Sequence, residues 1–464
     1  MKKVYKSVES LDKRCYEKYG LSEDLLQEHA ALGIYEHIQT LSDITNILVV
    51  CGGGNNGADG MALARLLDCN YKVTLCVLGE PKSPMAKIQY QRLQKLGIEV
   101  CTTLPNQDFD VIVDAIFGSG LNKELNDFYI HTIDTLNTKK AHKISCDIPS
   151  GIDIKGNPSP VAFKADTTIA MGALKLSLLS DLAKDYTGDI KIANLGLGDT
   201  KYEESTNFYC LEEKDLNLPI RTKKSSHKGD FGHILVVAGE KIGASVLAGD
   251  AGFALGAGLV SVLTHDDRLA LPHHIMHTHH IPHNITSIAI GMGLGNFEKD
   301  EIKKILTLDV PKVCDADLLH SDIILDILEA ENIVLTPHPK EFTSLLKICD
   351  IADIDAKTLQ ENRFFYAELF CRKYPNITLV LKGANTIIAQ NDKMYINPHG
   401  SSILSQGGSG DVLSGFIASY LAQGYDALQS AINGSLALTL SAKTYPYNNY
   451  SLKPQDLIEG VRKL

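Results

Sequence analysis

Several features that would narrow this chain's class at once are missing from it. Its ten cysteines, at positions 15, 51, 69, 76, 101, 146, 210, 314, 349 and 371, include no pair at CxxC spacing. Neither a zinc ribbon nor a disulfide framework is indicated. Several fall in apolar strand-like runs, as Cys76 does in VTLCVLG, and read as reduced, buried thiols of a cytoplasmic protein. No window approaches the roughly 20 apolar residues of a membrane helix. The N-terminal segment MKKVYKSVESLDKRCYEKYG has no apolar h-region, so no secretory signal is expected. Positive charge is also short: the formal net charge is −11, which argues against a nucleic-acid surface as a global property. What is present is ordinary globular material, 464 residues with 44% hydrophobic and 22% charged. That length predicts two or three domains, each able to bury a core.

The first half reads as strands alternating with helices. A helix is predicted over 22–39, capped by Ser22, with Glu23 and Asp24 at its positive end and an apolar stripe through Leu25, Leu26, Ala30, Ile34 and Ile38. Then NILVVCGGGNNGADGMALARLL gives a buried strand at Ile47–Val50, a polar glycine loop from Cys51 to Gly60, and a helix from Met61 to Leu67. Strand, glycine loop and helix open a doubly wound, Rossmann-like three-layer α/β/α domain, with a ligand at the strand's carboxyl end. The loop is not the dinucleotide GxGxxG; it carries Asn55, Asn56 and Asp59. YKVTLCVLG (71–79) predicts a second strand and 84–96 a second helix. DVIVDAIFGSG (110–120) and HKISCDIPSGID (142–153) are further strand-loops, ending in Asp114 and Gly118, and in Asp147, Pro149, Ser150 and Gly151. Parallel strands bring Asn56, Asp114, Asp147 and Ser150 to one rim, an oxygen-donor set suited to a hard cation. In any single loop the same residues are ordinary turn formers.

Residues 199–230 are polar and without sustained periodicity. They predict a boundary near 205–220, dividing the chain into domains at 1–205 and 215–464. The basic cluster RTKKSSHKGD reads as a solvated loop rather than an anion contact.

The second half is again α/β. GHILVVAGE (232–240) is a strand, Ala244–Leu255 a helix whose small residues favour close packing, and GAGLVSVLTHD the start of another strand. LPHHIMHTHHIPH (271–283) holds six histidines. His273/His277 and His279/His283 have the i,i+4 spacing of a metal pair if helical. Pro272 and Pro282 flank the run and no carboxylate interleaves, so a surface loop is expected. Strands follow in SIAIGMGLG (287–295), VPKVCDADLL (310–319), which ends in acids, and NIVLTPHPKEF (332–342). In the last, Pro337 and Pro339 mount His338 stiffly at a strand end. ITLVLKGANTIIA (377–389) places Lys382, Gly383 and Thr386 at a turn. The densest signal is Gln406-Gly407-Gly408-Ser409-Gly410-Asp411 before the apolar run VLSGFIASYLAQGY. The glycines let the backbone turn tightly and bring its amides to an oxyanion at the positive end of a helix. Asp411 in the first turn is placed to take a proton from a hydroxyl. A simple N-cap after a flexible turn fits the same residues.

Two resemblances follow from these motifs. GGGNNGADG, DAIFGSG and DIPSGID, in that order over about 1–200, resemble the YjeF N-terminal domain, the NAD(P)H-hydrate epimerase. The resemblance implies potassium bound by Asn56, Asp114 and Ser150. It implies a hydrated nicotinamide nucleotide held by Asn55, Asn56, Gly57, Ala58 and Asp59, by Gly118, Ser119, Gly120, Leu121, Asn122, Lys123 and Glu124, and by Asp147. Lys123 and Asp147 are implied in proton transfer. Ala58 departs from the family's usual glycine and requires a negative φ; LLQEHA at 25–30 departs from Met-Glu-Asn-Ala. HKGDFG, GMGLG, TPHPKEF, LKGANT and GGSGD, over about 215–464, resemble the YjeF C-terminal domain, the ADP/ATP-dependent NAD(P)H-hydrate dehydratase, a ribokinase-like α/β domain. That implies Ala244, Gly293, His338 and Asp411 at the hydrate, with Asp411 catalytic. It implies Lys382, Gly383, Ala384, Asn385, Thr386 and Gly410 at the ADP or ATP, with Mg²⁺ bridging its phosphates. Gln406 and Lys340 stand where small residues and glycine are more usual. The resemblance implies NADH hydrate and NADPH hydrate as substrates, two fused activities, and a homo-oligomer, tetramer or larger.

Overall fold

The computed structural model describes residues 1–121, 123–266, 271–295 and 297–464. The chain forms two compact units, one of Lys3–Thr206 and one of Asn207–Leu464 with Met1–Lys2. Among the described residues no helix is long and apolar enough to cross a membrane.

The first unit is built on a seven-stranded sheet. Its order is Val100–Cys101, Lys72–Val77, Asn46–Cys51, Val111–Ala115, His142–Cys146, Thr167–Met171 and Asp189–Ala193. Every strand pairing in it among the described residues is parallel. The central strands are apolar on both faces, as parallel strands covered by helices must be. Alternation along Asn46–Cys51 divides the core. Ile47, Val49 and Cys51 pack with the helices Glu23–Gln39, Asn55–Leu67 and Pro84–Leu96. Leu48 and Val50 pack with Ile133 and Leu136 of the helix Asp127–Thr138. Three layers result, as expected. Ser22 caps Glu23–Gln39 by accepting from the Leu25 amide, and Ser83 caps Pro84–Leu96 in the same way from Ala86.

One boundary differs. The glycine loop does not extend to Gly60: the helix starts at Asn55, so Asn55, Asn56, Gly57, Ala58 and Asp59 occupy its first turns. Glycines and asparagines have weak helical preference, but tertiary packing decides here. A Cβ on Gly57 would lie 1.8 Å from the Gly52 carbonyl oxygen, so only glycine lets the helix seat against the strand end. Ala58 is helical, with the negative φ its side chain requires.

In the second unit the sheet runs Met276–Thr278, Leu259–Leu263, His233–Val237, Ser287–Ile290, Lys312–Cys314, Ile333–Leu335 and Thr378–Leu381, then Thr386–Gln390, Lys393–Asn397 and Phe208–Cys210. It is parallel as far as Thr378–Leu381 and then turns antiparallel through Thr386–Gln390 and Lys393–Asn397. ITLVLKGANTIIA is therefore a hairpin turning at 382–385. The small residues of Ile242–Ala254 do allow close packing. A Cβ on Gly415, in the helix Ser409–Ala422, would lie 2.2 Å from the Ala248 carbonyl oxygen. The histidine-rich run is extended, with Met276–Thr278 forming an edge strand. Its i,i+4 histidines therefore do not share a helix face. His274 pairs with Asp250 at 2.6 Å and His279 Nδ1 contacts the Thr264 carbonyl at 3.0 Å. Arg221 of the basic cluster lies over the Phe231 ring, 3.9 Å from its centroid.

Candidate active sites

In the first unit, chemistry gathers where the parallel strands end. Asp114 closes Val111–Ala115 and is fully buried. Its Oδ1 accepts from Ser150 Oγ at 2.6 Å and from the Ile116 amide at 3.2 Å, and its Oδ2 from the Ser150 amide at 2.7 Å. Burial pushes its carboxyl up to about 6, although these donors oppose the shift. Ser150 Oγ also takes the Phe117 amide at 2.8 Å. The Asn56 side-chain amide is buried, and neither its oxygen nor its nitrogen has a hydrogen-bond partner. Gly118 leaves it room, since a Cβ there would come within 3.2 Å of Asn56 Oδ1. A buried, unpartnered amide is costly and marks a place for a missing partner. Among the described residues no group of three or more His, Cys, Asp or Glu side chains is set to hold a metal, so any ion here meets Asn, Ser and Asp oxygens instead.

Beside this cluster is a cavity of about 660 Å³. Asn55, Asn56, Asp59, Gly118, Ser119, Gly120, Leu121 and Asp147 line it, as do the aromatic rings of Phe117 and Tyr129. A second cavity of about 570 Å³ shares Val8, Asp12, Asn55, Ser119, Gly120 and Lys175 with it. Asp147 follows the strand His142–Cys146 in the left-handed region, at φ 69°. Its Oδ1 accepts from the Met171 amide at 3.1 Å and from Lys175 Nζ at 2.5 Å. Asp59 is pushed well up by burial, with the Asp147 charge adding to it. Asp12, which accepts from Tyr202 Oη at 2.7 Å, is also raised by burial.

Sequence reading placed Lys123 with Asp147. In the structure Lys123 and Glu124 are exposed and stand outside the cavity's lining. They sit in a segment without helix or strand to hold them. Asn122 lies outside the described residues. The lysine that reaches Asp147 is Lys175, which the sequence reading missed. Its signal was a lone lysine inside the apolar run GALKLSLL, where burial without a carboxylate is expensive.

In the second unit, Gly408 at φ 96° turns the chain into the helix Ser409–Ala422. Ser409 Oγ ties the turn by donating to the Leu404 and Gln406 carbonyls, both at 3.0 Å. Asp411 sits in the helix's first turn. Its carboxyl is pushed up to about 6 by burial and by Asp315, while Lys382 opposes. Gly410 faces the same pair: a Cβ there would stand 3.5 Å from Lys382 Nζ and 3.7 Å from Asp315 Oδ2.

Lys382 Nζ donates to Asp315 Oδ1 at 2.8 Å and lies 3.6 Å from Glu341 Oε2. Burial alone would depress this ammonium, but the Asp315 and Glu341 carboxylates hold it above its usual range. Asp315, 2% exposed, also accepts from Ser414 Oγ at 3.0 Å. Arg363, 4% exposed, supports the hairpin turn by donating to the Leu381, Lys382 and Asn385 carbonyls at 3.0–3.2 Å. Asp315, Glu341 and Arg363 were not singled out from sequence.

His338 caps the helix Pro339–Ile348. Its Nδ1 accepts from the Lys340 and Glu341 amides, and its Nε2 is 3.0 Å from Glu341 Oε1. Both ring nitrogens are therefore engaged in holding the strand-to-helix turn. Ala244 and Gly293 flank Lys241, whose carbonyl accepts from the Ala244 amide at 3.1 Å and whose amide donates to the Gly293 carbonyl at 3.0 Å. A cavity of about 470 Å³ lies by this junction, lined by Gly239, Glu240, Ile242, Leu294 and others.

Comparison with known proteins matches each unit separately. The family described as YjeF-related protein N-terminus matches residues 23–177, and the NAD(P)H-hydrate dehydratase family matches 234–463. A crystal structure of the ADP/ATP-dependent NAD(P)H-hydrate dehydratase of Bacillus subtilis with ATP and Mg²⁺ is similar at 26% identity and TM-score 0.48, covering 56% of this chain and 98% of that one. The bifunctional NAD(P)H-hydrate repair enzyme of Escherichia coli is 32% identical over 85% of this chain and 80% of its own. That of Helicobacter pylori is 42% identical over the full length of both chains. Identity of that level over the full length of both chains makes this chain a member of the bifunctional NAD(P)H-hydrate repair enzyme family.

Proposed function

We propose that the chain repairs hydrated NADH and NADPH in two steps, one in each unit. The first unit interconverts the R and S epimers of the hydrate. The second removes water from the S epimer at the expense of ADP or ATP and returns NAD(P)H. The observation that carries this reading is Asp411: a half-buried carboxylate, poised near neutrality, in the first turn of a glycine-capped helix and beside the Asp315-anchored Lys382.

A ring hydroxyl is a poor leaving group, and phosphorylation makes it a good one. Asp411 takes the hydroxyl proton as the oxygen attacks the terminal phosphorus of the nucleotide and the bridging P–O bond breaks, releasing AMP from ADP or ADP from ATP. The amides at the start of Ser409–Ala422 face the charge that develops on the transferred group. Lys382, with the turn 383–386 behind it, meets the nucleotide's anionic end. The ring nitrogen then expels phosphate from C6, and loss of a C5 proton restores the dihydronicotinamide. Mg²⁺ arriving with the nucleotide would neutralise its phosphate charge. Ala244, Gly293 and His338 belong to the hydrate side of this reading, His338 as the cap that fixes the turn.

In the first unit, Asn55 to Asp59, Gly118 to Leu121 and Asp147 hold the hydrate; Asp147 takes the C6 hydroxyl proton as the C6–N1 bond opens to an aldehyde, N1 being protonated in turn, and the reverse steps close N1 onto the other face of the carbonyl. Potassium fits the cluster of Asn56, Asp114 and Ser150, because the Asn56 amide is buried without a partner and the available donors are oxygens. When bound there it would supply a fixed positive charge at the rim of the hydrate cavity. The same reading includes a homo-oligomer, tetramer or larger, in the cytoplasm.

The test is incubation with racemic NADPH hydrate and ADP or ATP, with both nucleotides followed by chromatography. Recovery of near-ultraviolet absorbance with release of inorganic phosphate is expected. A stable phosphorylated product makes the chain a small-molecule kinase and overturns the reading. Asp147→Ala abolishes interconversion and leaves dehydration of the S epimer; Asp411→Asn does the reverse.

A further inference from the structure

The first unit's cavity is lined by four carboxyl groups, of Asp12, Asp59, Glu80 and Asp147, together with Lys82 and Lys175. Lys175 is 2% exposed and lines both neighbouring cavities. Its place is set by the backbone: Leu174 and Lys175 pair in parallel with Val4 and Tyr5, just beyond the sheet strand Thr167–Met171. Nζ donates to Asp147 Oδ1 at 2.5 Å and to the Met171 carbonyl at 3.1 Å. An ammonium has three donors, so one N–H remains at the cavity.

We propose, building on the epimerase reading of this unit, that Lys175 is the positioning residue of the epimerisation. It fixes the Asp147 carboxylate by one oxygen and leaves the other for the substrate. The geometry gives each atom a task. Oδ1 is held by two donors, the Met171 amide and Lys175 Nζ. No described residue partners Oδ2, while Asp147 lines the cavity. A carboxylate held this way cannot swing, and proton exchange with a bound hydroxyl depends on such fixed geometry. The Lys175 charge also acts on Asp12 and Asp59, favouring the ionised form of both against their burial. One ammonium thus organises three carboxyl groups that would otherwise repel one another.

A purely structural ion pair would be broken with loss of folding and no selective loss of chemistry. The two roles separate in the full-length chain with Lys175→Met, Lys175→Gln and Lys175→Arg. Epimer interconversion is measured by chromatography over a range of hydrate concentrations. Dehydration of the pure S epimer by the same preparation reports that the chain is intact. Lys175→Met is expected to lower kcat for interconversion at least 100-fold with KM within threefold of wild type, and Lys175→Arg to recover kcat to within about tenfold. If Lys175→Met loses the first unit's unfolding transition, Lys175→Gln is read against the same thresholds. A kcat within threefold of wild type in the folded neutral variant overturns the inference, as does a folded Lys175→Arg no better than the neutral variant. Absence of interconversion in the wild type is a different result; it overturns the epimerase reading itself.

Discussion

The charge of Lys382 should be readable in the pH dependence of dehydration. Asp411 acts as a base only when ionised, so kcat falls as pH drops through its pKa, approaching tenfold per unit. With the carboxyl at about 6, the wild type is about half ionised at pH 6 and about nine-tenths ionised at pH 7. Two neighbours act on it in opposite senses: Asp315 raises the pKa and Lys382 lowers it. A charge within about 4–6 Å moves a carboxyl by about 1–3 units; the low end applies because Asp411 is only partly withdrawn from solvent. Lys382→Met should therefore move the acid limb upward by about one unit, leaving about a tenth of Asp411 ionised at pH 6. Asp315→Asn should move the limb downward by a similar amount, because Asn keeps an oxygen for Lys382 while the competing charge is gone. The assay is kcat for the S epimer at saturating nucleotide and hydrate, measured from about pH 5 to 9. Amplitudes will drop in both variants, so the position of the limb is the reading. Limbs that move together, or stay fixed in both, refute Asp411 as the titrating base.

Three further outcomes follow from the same geometry. Arg363→Met strips the donors from three carbonyls of the hairpin turn; it should destabilise the second unit by about 2–4 kcal/mol in denaturant titration and raise KM for the nucleotide more than KM for the hydrate. Gly57→Ala puts a methyl 1.8 Å from the Gly52 carbonyl oxygen, against backbone that cannot swing aside as a side chain would; a loss of about 1–3 kcal/mol is expected in the first unit, and unchanged stability would contradict the seating of that helix. Asp114→Asn keeps the shape of the Asn56 cluster and removes its charge; epimerisation should be faster in potassium chloride than in tetramethylammonium chloride for the wild type, and equal in both for the variant.

The sequence announced the elements that carry their own punctuation. Ser22 and Ser83 are caps with apolar stripes behind them, and the runs at 47–50, 111–115 and 233–237 are too apolar to be anything but covered strands. The oxygen-bearing loop ends were legible for the same reason, since turn chemistry is local. What escaped reading depends on contacts distant in the chain. Lys175 meets Asp147 across 28 residues and Lys382 meets Asp315 across 67, and no local pattern encodes either partner. The start of Asn55–Leu67 was missed because its propensity is poor, and only the approach of Gly57 to Gly52 makes the helix begin there. In the histidine run, i,i+4 spacing gathers ligands only on a helix; in the observed edge strand it is His277 and His279, two residues apart, whose rings meet, with centroids 4.6 Å apart.

Each unit keeps its working carboxylate beside a lysine that is itself anchored to an acid and largely or wholly withdrawn from water. Charges arranged on a surface lose their grip on one another as dissolved ions crowd in, within about 8 Å at physiological ionic strength. A pair set as deep as Lys175 and Asp147 is spared that competition. The Asp147–Lys175 geometry should hold while the ion content of the surroundings rises and falls, whereas Asp411, only partly withdrawn from solvent, feels more of it.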